Sequence, residues 1–371
     1  MNNIRVGSLL GIPFYLNPSW FLVLGLVTLS YGSGLSAQFP FLPTSLAWFL
    51  GLLTALLLFS SVLAHELGHS VVAQSQGIEV KSITLFLFGG LANLERESDT
   101  PAGAFWVAIA GPLVSLAIAI GATIAILATP ITGVPLAILR VLAMVNYALA
   151  FFNLIPGLPL DGGNILKAIV WKITGNPYRG VQFAGRVGQI IGWLAIASGL
   201  FPFFFGGGPN LWNILIGWFL LQNAGQAAQY ATLQNQMVGL TAADVVHPNS
   251  PMVKESETLR TFIDQAVLND HQWSRFLVTD QENRLVGTIA LQDVKNTPSD
   301  QWSLVQVRDL SKPIAPSMVV DSTLPLSEVV TTLEKGQVNA LSVVETNGRL
   351  LGLLEKSAIV RLLQKQQPMP A

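Results

Sequence analysis

Ser61-Val62-Leu63-Ala64-His65-Glu66-Leu67-Gly68-His69-Ser70 closes an apolar stretch at about 45–73 that is long enough to cross about 30 Å of hydrocarbon as a helix. Up to His65 the stretch carries no charge. A charge near the bilayer centre costs roughly 2.5–3.5 kcal/mol on insertion scales, so two His and a Glu within five positions need a compensating role. Their spacing supplies one. His65 and His69 stand at i and i+4, share a helix face and can chelate one ion. Glu66 then lies beside the open coordination position. There its carboxylate can take a proton from a water activated by the metal and later protonate a leaving amine. Imidazole and carboxylate ligands without thiolate suit zinc, which lowers the pKa of its water to about 7.

The rest of the chain gives this stretch its setting. Of 371 residues, 51% are hydrophobic and only 11% charged, well below the roughly 25% of soluble proteins. Residues 1–235 hold only 14 of the 41 Asp, Glu, Lys and Arg residues. A membrane-embedded part therefore precedes a soluble part. This excludes a soluble single-domain enzyme and a disordered chain. The chain has no Cys, which excludes a disulfide scaffold and a thiolate metal site. A net charge of −1 gives no argument for nucleic-acid binding.

Six apolar stretches are predicted to span the membrane, at about 14–32, 45–73, 104–128, 135–155, 183–204 and 211–231. With the N-terminus in the cytoplasm, the cytoplasmic segments hold Arg5, Lys81, Arg96, Lys167, Lys172, Arg179 and Arg186, and the other side holds only Arg140. This positive-inside bias predicts cytoplasmic N- and C-termini. A bacterial-type inner (cell) membrane is the expected location.

Two His need a third ligand at the same depth. The fourth span ends in Asn153-Leu154-Ile155-Pro156-Gly157-Leu158-Pro159-Leu160-Asp161-Gly162-Gly163. The prolines break the helix and the glycines permit a sharp turn. Such an unwound end is tolerated in a membrane only where it lines protein or water. Asp161 is the only acid in residues 100–235, and the topology brings it level with His65 and His69 as the third metal ligand.

Residues 5–230 resemble the site-two proteases, intramembrane zinc metalloproteases. The resemblance rests on His65-Glu66-Leu67-Gly68-His69 and on Asn153 to Gly162, which looks like the family's NxxPxPxLDG pattern. Ile12 to Trp20, Phe88-Gly89-Gly90 and Ala110-Gly111-Pro112 agree with it. It implies that His65, His69 and Asp161 bind one zinc and that Glu66 is the general base. It also implies a catalytic-site place for Asn153, whose amide could bond the substrate carbonyl or an oxyanion. The implied activity is cleavage of a transmembrane helix in a partner membrane protein, with release of a cytoplasmic regulator. One departure is visible: the third-span motif often continues with Asn where this chain has Ser115, which puts a secondary polar contact in doubt. Residues 81–94 read as two short strands joined by Gly89-Gly90, with Ile83, Leu85 and Leu87 alternating against Thr84. The resemblance makes them a membrane-associated hairpin whose edge could pair with unwound substrate. Phe203 to Pro209 reads as an external turn or a flexible gate.

The soluble part is a repeat. Residues 275–287 match 340–352, each as strand, polar turn and strand, with a helix before each at Leu259–Leu268 and Leu326–Lys335. Copies spanning 240–298 and 307–365 resemble a tandem of CBS domains, modules that often bind adenine nucleotide. The family's ribose pattern keeps Asp293 but has Ala290 for its hydroxyl, and the second copy has Glu355 and Ala358. Asp293 is thus the one candidate nucleotide residue. His247 and His271 read as surface residues.

The predicted architecture is a polytopic α-helical membrane protein, with about six transmembrane helices and a membrane-associated β-hairpin in residues 1–235. An α/β tandem CBS-domain module follows, acting as a regulatory or sensing unit. Its partners would be a membrane protein substrate, the lipid bilayer and a second copy joined through the CBS domains. A CBS-regulated transporter or channel is the alternative, though it leaves unexplained a Glu between two i, i+4 His. A non-catalytic scaffold of the same fold is the third reading.

Overall fold

Side-chain caps at Asn17, Thr100 and Asn176 mark three helix starts in the first half of the chain. The computed structural model describes residues 3–86, 89–247, 249–268 and 273–365; Leu87, Phe88 and His271 therefore lie outside the described residues. The chain divides into two units between Thr232 and Leu233. The first opens with a hairpin, β1 (Ile4–Leu9) and β2 (Ile12–Leu16). Its turn places Leu10 and Gly11 both at positive φ, the conformation that matches strand twist in a two-residue turn. The Asn17 side chain then accepts from the Ser19 amide at 3.0 Å and Pro18 takes the first helical position. So α1 runs Pro18–Gln38, and the first predicted span begins four residues too early, in β2.

The long helix α2 (Thr44–Ser75) crosses α1 closely. A Cβ on Gly51 would lie 2.7 Å from the Gly32 amide nitrogen, a backbone approach that only small residues allow. After α2 come β3 (Val80–Phe86) and β4 (Gly89–Leu94), the predicted strand pair. The missed β1–β2 hairpin joins it: β2 pairs parallel with β3, giving a four-stranded sheet in the order β1-β2-β3-β4. Ile12, Ile78, Val80 and Ile83 pack with Ala73 of α2 in one buried cluster. The sheet is thereby fastened to the last turns of the helix that carries His65 and His69.

Next follow α3 (Pro101–Ala128), α4 (Gly133–Asn153), α5 (Asp161–Thr174), α6 (Pro177–Leu200) and α7 (Leu211–Met237). Helices α1 to α4 and the run Pro177–Phe205 are long and apolar enough to cross a membrane, five in all among the described residues. The sixth predicted span lies in α7. It is 27 residues long, but from Gln222 onward it carries an amide side chain at nearly every turn, which lowers its hydropathy. Helices α6 and α7 meet through glycine: a Cβ on Gly217 would lie 2.6 Å from the Gly192 carbonyl oxygen.

The second unit holds β5 (Met252–Lys254), α8 (Leu259–Leu268), β6 (Arg275–Thr279), β7 (Leu285–Ala290) and α9 (Leu291–Val294). The short α10 (Val307–Leu310) precedes the matching set β8 (Val319–Asp321), α11 (Leu326–Gly336), β9 (Ala340–Val344), β10 (Leu350–Glu355) and α12 (Lys356–Lys365). Each set forms a three-stranded sheet, β5-β6-β7 and β10-β9-β8, in which the first strand pairs parallel with the second. The two cores exchange their leading segments. Ala242 and Val245 pack in the second core with Leu326, Leu341 and Leu354. Val307 packs in the first with Leu259, Phe262 and Ile289. Backbone bonds fix the exchange, Leu326 to the Leu240 carbonyl at 2.9 Å and Leu259 to the Val305 carbonyl at 3.0 Å. Neither repeat of about 60 residues closes a core from its own strands and helices, as its small size requires. His247 is half-buried, its ring edge-on to Trp273 at 5.3 Å between centroids. Leu341→Ala, at a fully buried site, should destabilise the second unit by about 2–5 kcal/mol; amide hydrogen exchange along β9 measures it.

Candidate metal centre

The depth of His65 and His69 in the bundle is set by what packs on their helix face. Helix α3 presents Gly111 and Ser115 there, both buried. A Cβ on Gly68 would lie 3.0 Å from the Ala110 carbonyl oxygen, so α2 and α3 are in near backbone contact. Pro112 of α3 has no amide to pair with the Ala108 carbonyl. Beside that gap, His69 Nδ1 donates to the Val107 carbonyl at 2.6 Å. His65 Nδ1 lies 2.9 Å from Ser115 Oγ. The His69 Nδ1 proton is engaged in this way, which leaves the Nε2 lone pair of that ring free, and both rings are held in orientation.

Asp161 arrives from the other side. After Asn153 the chain turns through Leu154–Leu160 and re-enters a helix at Asp161. Glycine makes the turn tight: a Cβ on Gly163 would lie 2.3 Å from the Leu158 amide nitrogen. Helix α6 backs the same turn, with the Leu158 amide bonded to the Ala184 carbonyl at 3.2 Å and Gly188 directly against the Leu158 carbonyl. Asp161 Oδ2 ends 3.1 Å from His65 Nε2 and 3.3 Å from His69 Nε2, and the two nitrogens are 3.3 Å apart. The three side chains are the one group of His and acidic residues among those described that could hold a metal ion. Tetrahedral ligands at about 2.0–2.1 Å from zinc stand about 3.3–3.4 Å apart, so both donor types and spacing fit that ion.

Glu66 faces β4. The Ala92 amide bonds its carboxylate, and a Cβ on Gly90 would lie 2.4 Å from Glu66 Cγ. Gly111 has the same function for the imidazoles, since a Cβ there would lie 2.2 Å from His69 Nε2 and 2.7 Å from His65 Nε2. These two glycines keep open the space in front of the ligand atoms and the carboxylate.

The structure brings together His65, His69 and Asp161, with Glu66 alongside. Asn153 is the last residue of α4, half-buried, and no hydrogen bond joins it to those four. Asp293 lies in the second unit, where its carboxylate already has two partners. Oδ2 accepts from the Ala290 amide at 3.1 Å and Oδ1 from Lys312 Nζ at 2.5 Å. The Lys312 ammonium holds this carboxyl below its usual range. Ser115 corrects an expectation: the serine that replaces the usual Asn keeps a polar contact with His65. Asn146 went unread in the sequence. It is fully buried in α4 and donates to Ser61 Oγ at 3.1 Å, one turn before His65. Its signal is an amide in the middle of an apolar span.

The model for Peptidase family M50 matches residues 53–135 and 129–195, and that for the CBS domain matches 242–299 and 307–365. A protein of Synechocystis sp. that carries the name zinc metalloprotease is 53% identical over 369 residues, 98% of this chain and 96% of that protein. The chain belongs to peptidase family M50, the site-2 protease family. A similarly named protein of Mycobacterium tuberculosis is 32% identical over 368 residues, 97% of this chain and 92% of that protein. The solved site-2 protease from Methanocaldococcus jannaschii is similar over 61% of this chain and 95% of its own, at 32% identity and a TM-score of 0.43. Membership makes the chain a metallopeptidase and the tandem CBS module its second part.

Two substitutions test the geometry around the ligand atoms. Gly111→Ala places a methyl against both imidazoles and should abolish zinc retention in a protein that keeps its helical content, as metal analysis and circular dichroism would show. Ser115→Ala removes only the Nδ1 contact of His65 and should weaken zinc binding about 10–100-fold, measured by chelator competition.

Proposed function

We propose that this M50 member is an intramembrane zinc endopeptidase that cleaves a transmembrane helix of a partner protein. The observation that carries the reading is the convergence of His65 Nε2, His69 Nε2 and Asp161 Oδ2 within 3.3 Å of one another, next to Glu66, with both His and the Glu on a helix apolar enough to cross a membrane.

A bound zinc would polarise the scissile carbonyl and make a water acidic enough to lose its proton near neutral pH. His65, His69 and Asp161 would hold it, with Ser115 and the Val107 carbonyl fixing the ring orientations. The Glu66 carboxylate takes the proton of the attacking water and hands it to the leaving amine nitrogen as the peptide bond breaks. The Ala92 amide holds that carboxylate in place meanwhile. Asn153 serves the substrate carbonyl by hydrogen bonding from the end of α4.

A helical substrate has all its amides paired internally and must unwind to be cut. Strand β4 is an edge of its sheet, bonded on one side to β3. An unwound segment adding to the other side of β4 would lie beside Glu66. In this reading six helices cross an inner (cell) membrane, with α7 as the sixth, and both termini are cytoplasmic. The basic residues at positions 5, 81, 96, 167, 172, 179 and 186 support that orientation. The CBS module regulates cleavage or senses a signal. An adenine nucleotide using Asp293 would have to displace Lys312.

Glu66→Gln should retain about one zinc per chain and lower cleavage of a reconstituted transmembrane substrate about 10²–10⁴-fold. Asp161→Ala should lose the zinc as well. Cleavage that persists in Glu66→Gln would overturn the mechanism.

A further inference from the structure

The end of the bundle away from the imidazoles holds a cavity of about 470 Å³ between α1, α2 and α4. It reaches α2 at Thr54, eleven residues before His65 and so about 16 Å along the helix. Leu35, Phe39 and Leu136 line it with apolar surface, and Tyr31, Gln38 and Arg140 add polar groups.

Arg140 is the unusual member. It is the eighth residue of the 21-residue α4, which places its Cα about 10 Å in from the start of a helix about 31 Å long. A guanidinium at that depth is costly. Among the described residues nothing bonds or pairs with it. No acid occurs in residues 17–65, and Asp161, the only acid in 100–235, follows the opposite end of α4. Among the described residues of the first unit, no acid supplies a counter-charge at this end of the bundle. A guanidinium at that position snorkels toward the nearer membrane surface, where the abundant anion is the phosphodiester of a lipid, whose acyl chain suits the apolar wall.

We propose that this cavity binds one phospholipid, its phosphate on the Arg140 guanidinium with Gln38 and Tyr31 as neighbouring donors, and an acyl chain along Leu35, Phe39 and Leu136. The paired guanidinium and phosphate form charge-assisted hydrogen bonds. The lipid fills the gap between α1 and α4. The site stands apart from the peptidase reading and uses none of its residues.

Full-length protein in mild detergent, titrated with phosphatidylglycerol and followed by native mass spectrometry and thermal midpoint, tests this. One bound lipid per chain and a rise in Tm are expected, with neither from diacylglycerol, which lacks the phosphate. Arg140→Gln should weaken binding about tenfold or more. Gly34→Trp tests the cavity without touching the charge: a Cβ there meets nothing within 4 Å, so the indole enters open space and should weaken binding comparably. Circular dichroism and the lipid-free midpoint report folding of each variant. Wild-type affinity in a folded Arg140→Gln overturns the proposal, and so does equal binding of diacylglycerol. A full stabilisation by inorganic phosphate alone would make this a free-anion site and overturn the lipid assignment. Should Arg140→Gln fail to fold, unchanged binding in Gly34→Trp overturns it instead.

Discussion

Two imidazoles and a carboxylate inside an apolar helix bundle have little water to solvate them, so they must face one another, an ion or a fixed dipole. Most of what is unusual in the first unit follows from this. Helix α3 meets α2 on Gly111 and Ser115 because larger residues would separate the rings from Val107 and Ser115. Helix α4 stops at Asn153 because a continuous helix would carry Asp161 past the rings. The turn that returns Asp161 has glycine where backbone meets backbone, and α6 closes on that turn through Gly188. The Asn146–Ser61 bond ties α4 to α2 one turn before His65, fixing the relative depth of the two helices that lead to the ligands.

How much of this could be read in advance depends on whether the cause was local. The His65 and His69 pairing follows from helical spacing alone. Asp161 was legible because acids are scarce: one in 136 residues, after a Pro-Gly break, leaves little choice. Ser115 was not legible in the same way. Its value lies in reaching His65 Nδ1 from another helix, and nothing in residues 110–120 states that distance. The N-terminal hairpin was missed for a related reason. Ile12–Leu16 is apolar and runs straight into an apolar helix, so hydropathy merges the two. The Asn17-Pro18 cap marks the true boundary.

The second unit shows the same division. Periodicity and turn residues located α8, β6, β7, α11, β9 and β10, since each strand pair is a local hairpin. Strands β5 and β8 are three residues long and pair in parallel with partners more than twenty residues away, so no local pattern announces them. The exchange of leading segments is invisible in an aligned repeat, because each copy places its first residues in the other copy's core. That exchange makes the tandem one folding problem. A ligand or partner that shifts one core pulls on a segment of the other.

Glu66 and Gly90 show how closely chemistry and strand geometry are coupled. A general base beside a metal needs space for water and for the substrate carbonyl, which argues against crowding. A base in an apolar bundle also needs a fixed donor to hold its carboxylate, which argues for close packing. The β4 edge meets both demands: the Ala92 amide supplies the donor, and Gly90, lacking a Cβ, admits the Glu66 side chain without filling the space in front of it. Among the described residues the same strand has no partner strand on its outer side, where the proposed function has an unwound segment add. A side chain at position 90 would therefore displace Glu66 and narrow the approach of an added strand at once, so the glycine links the proposed base to the proposed substrate edge.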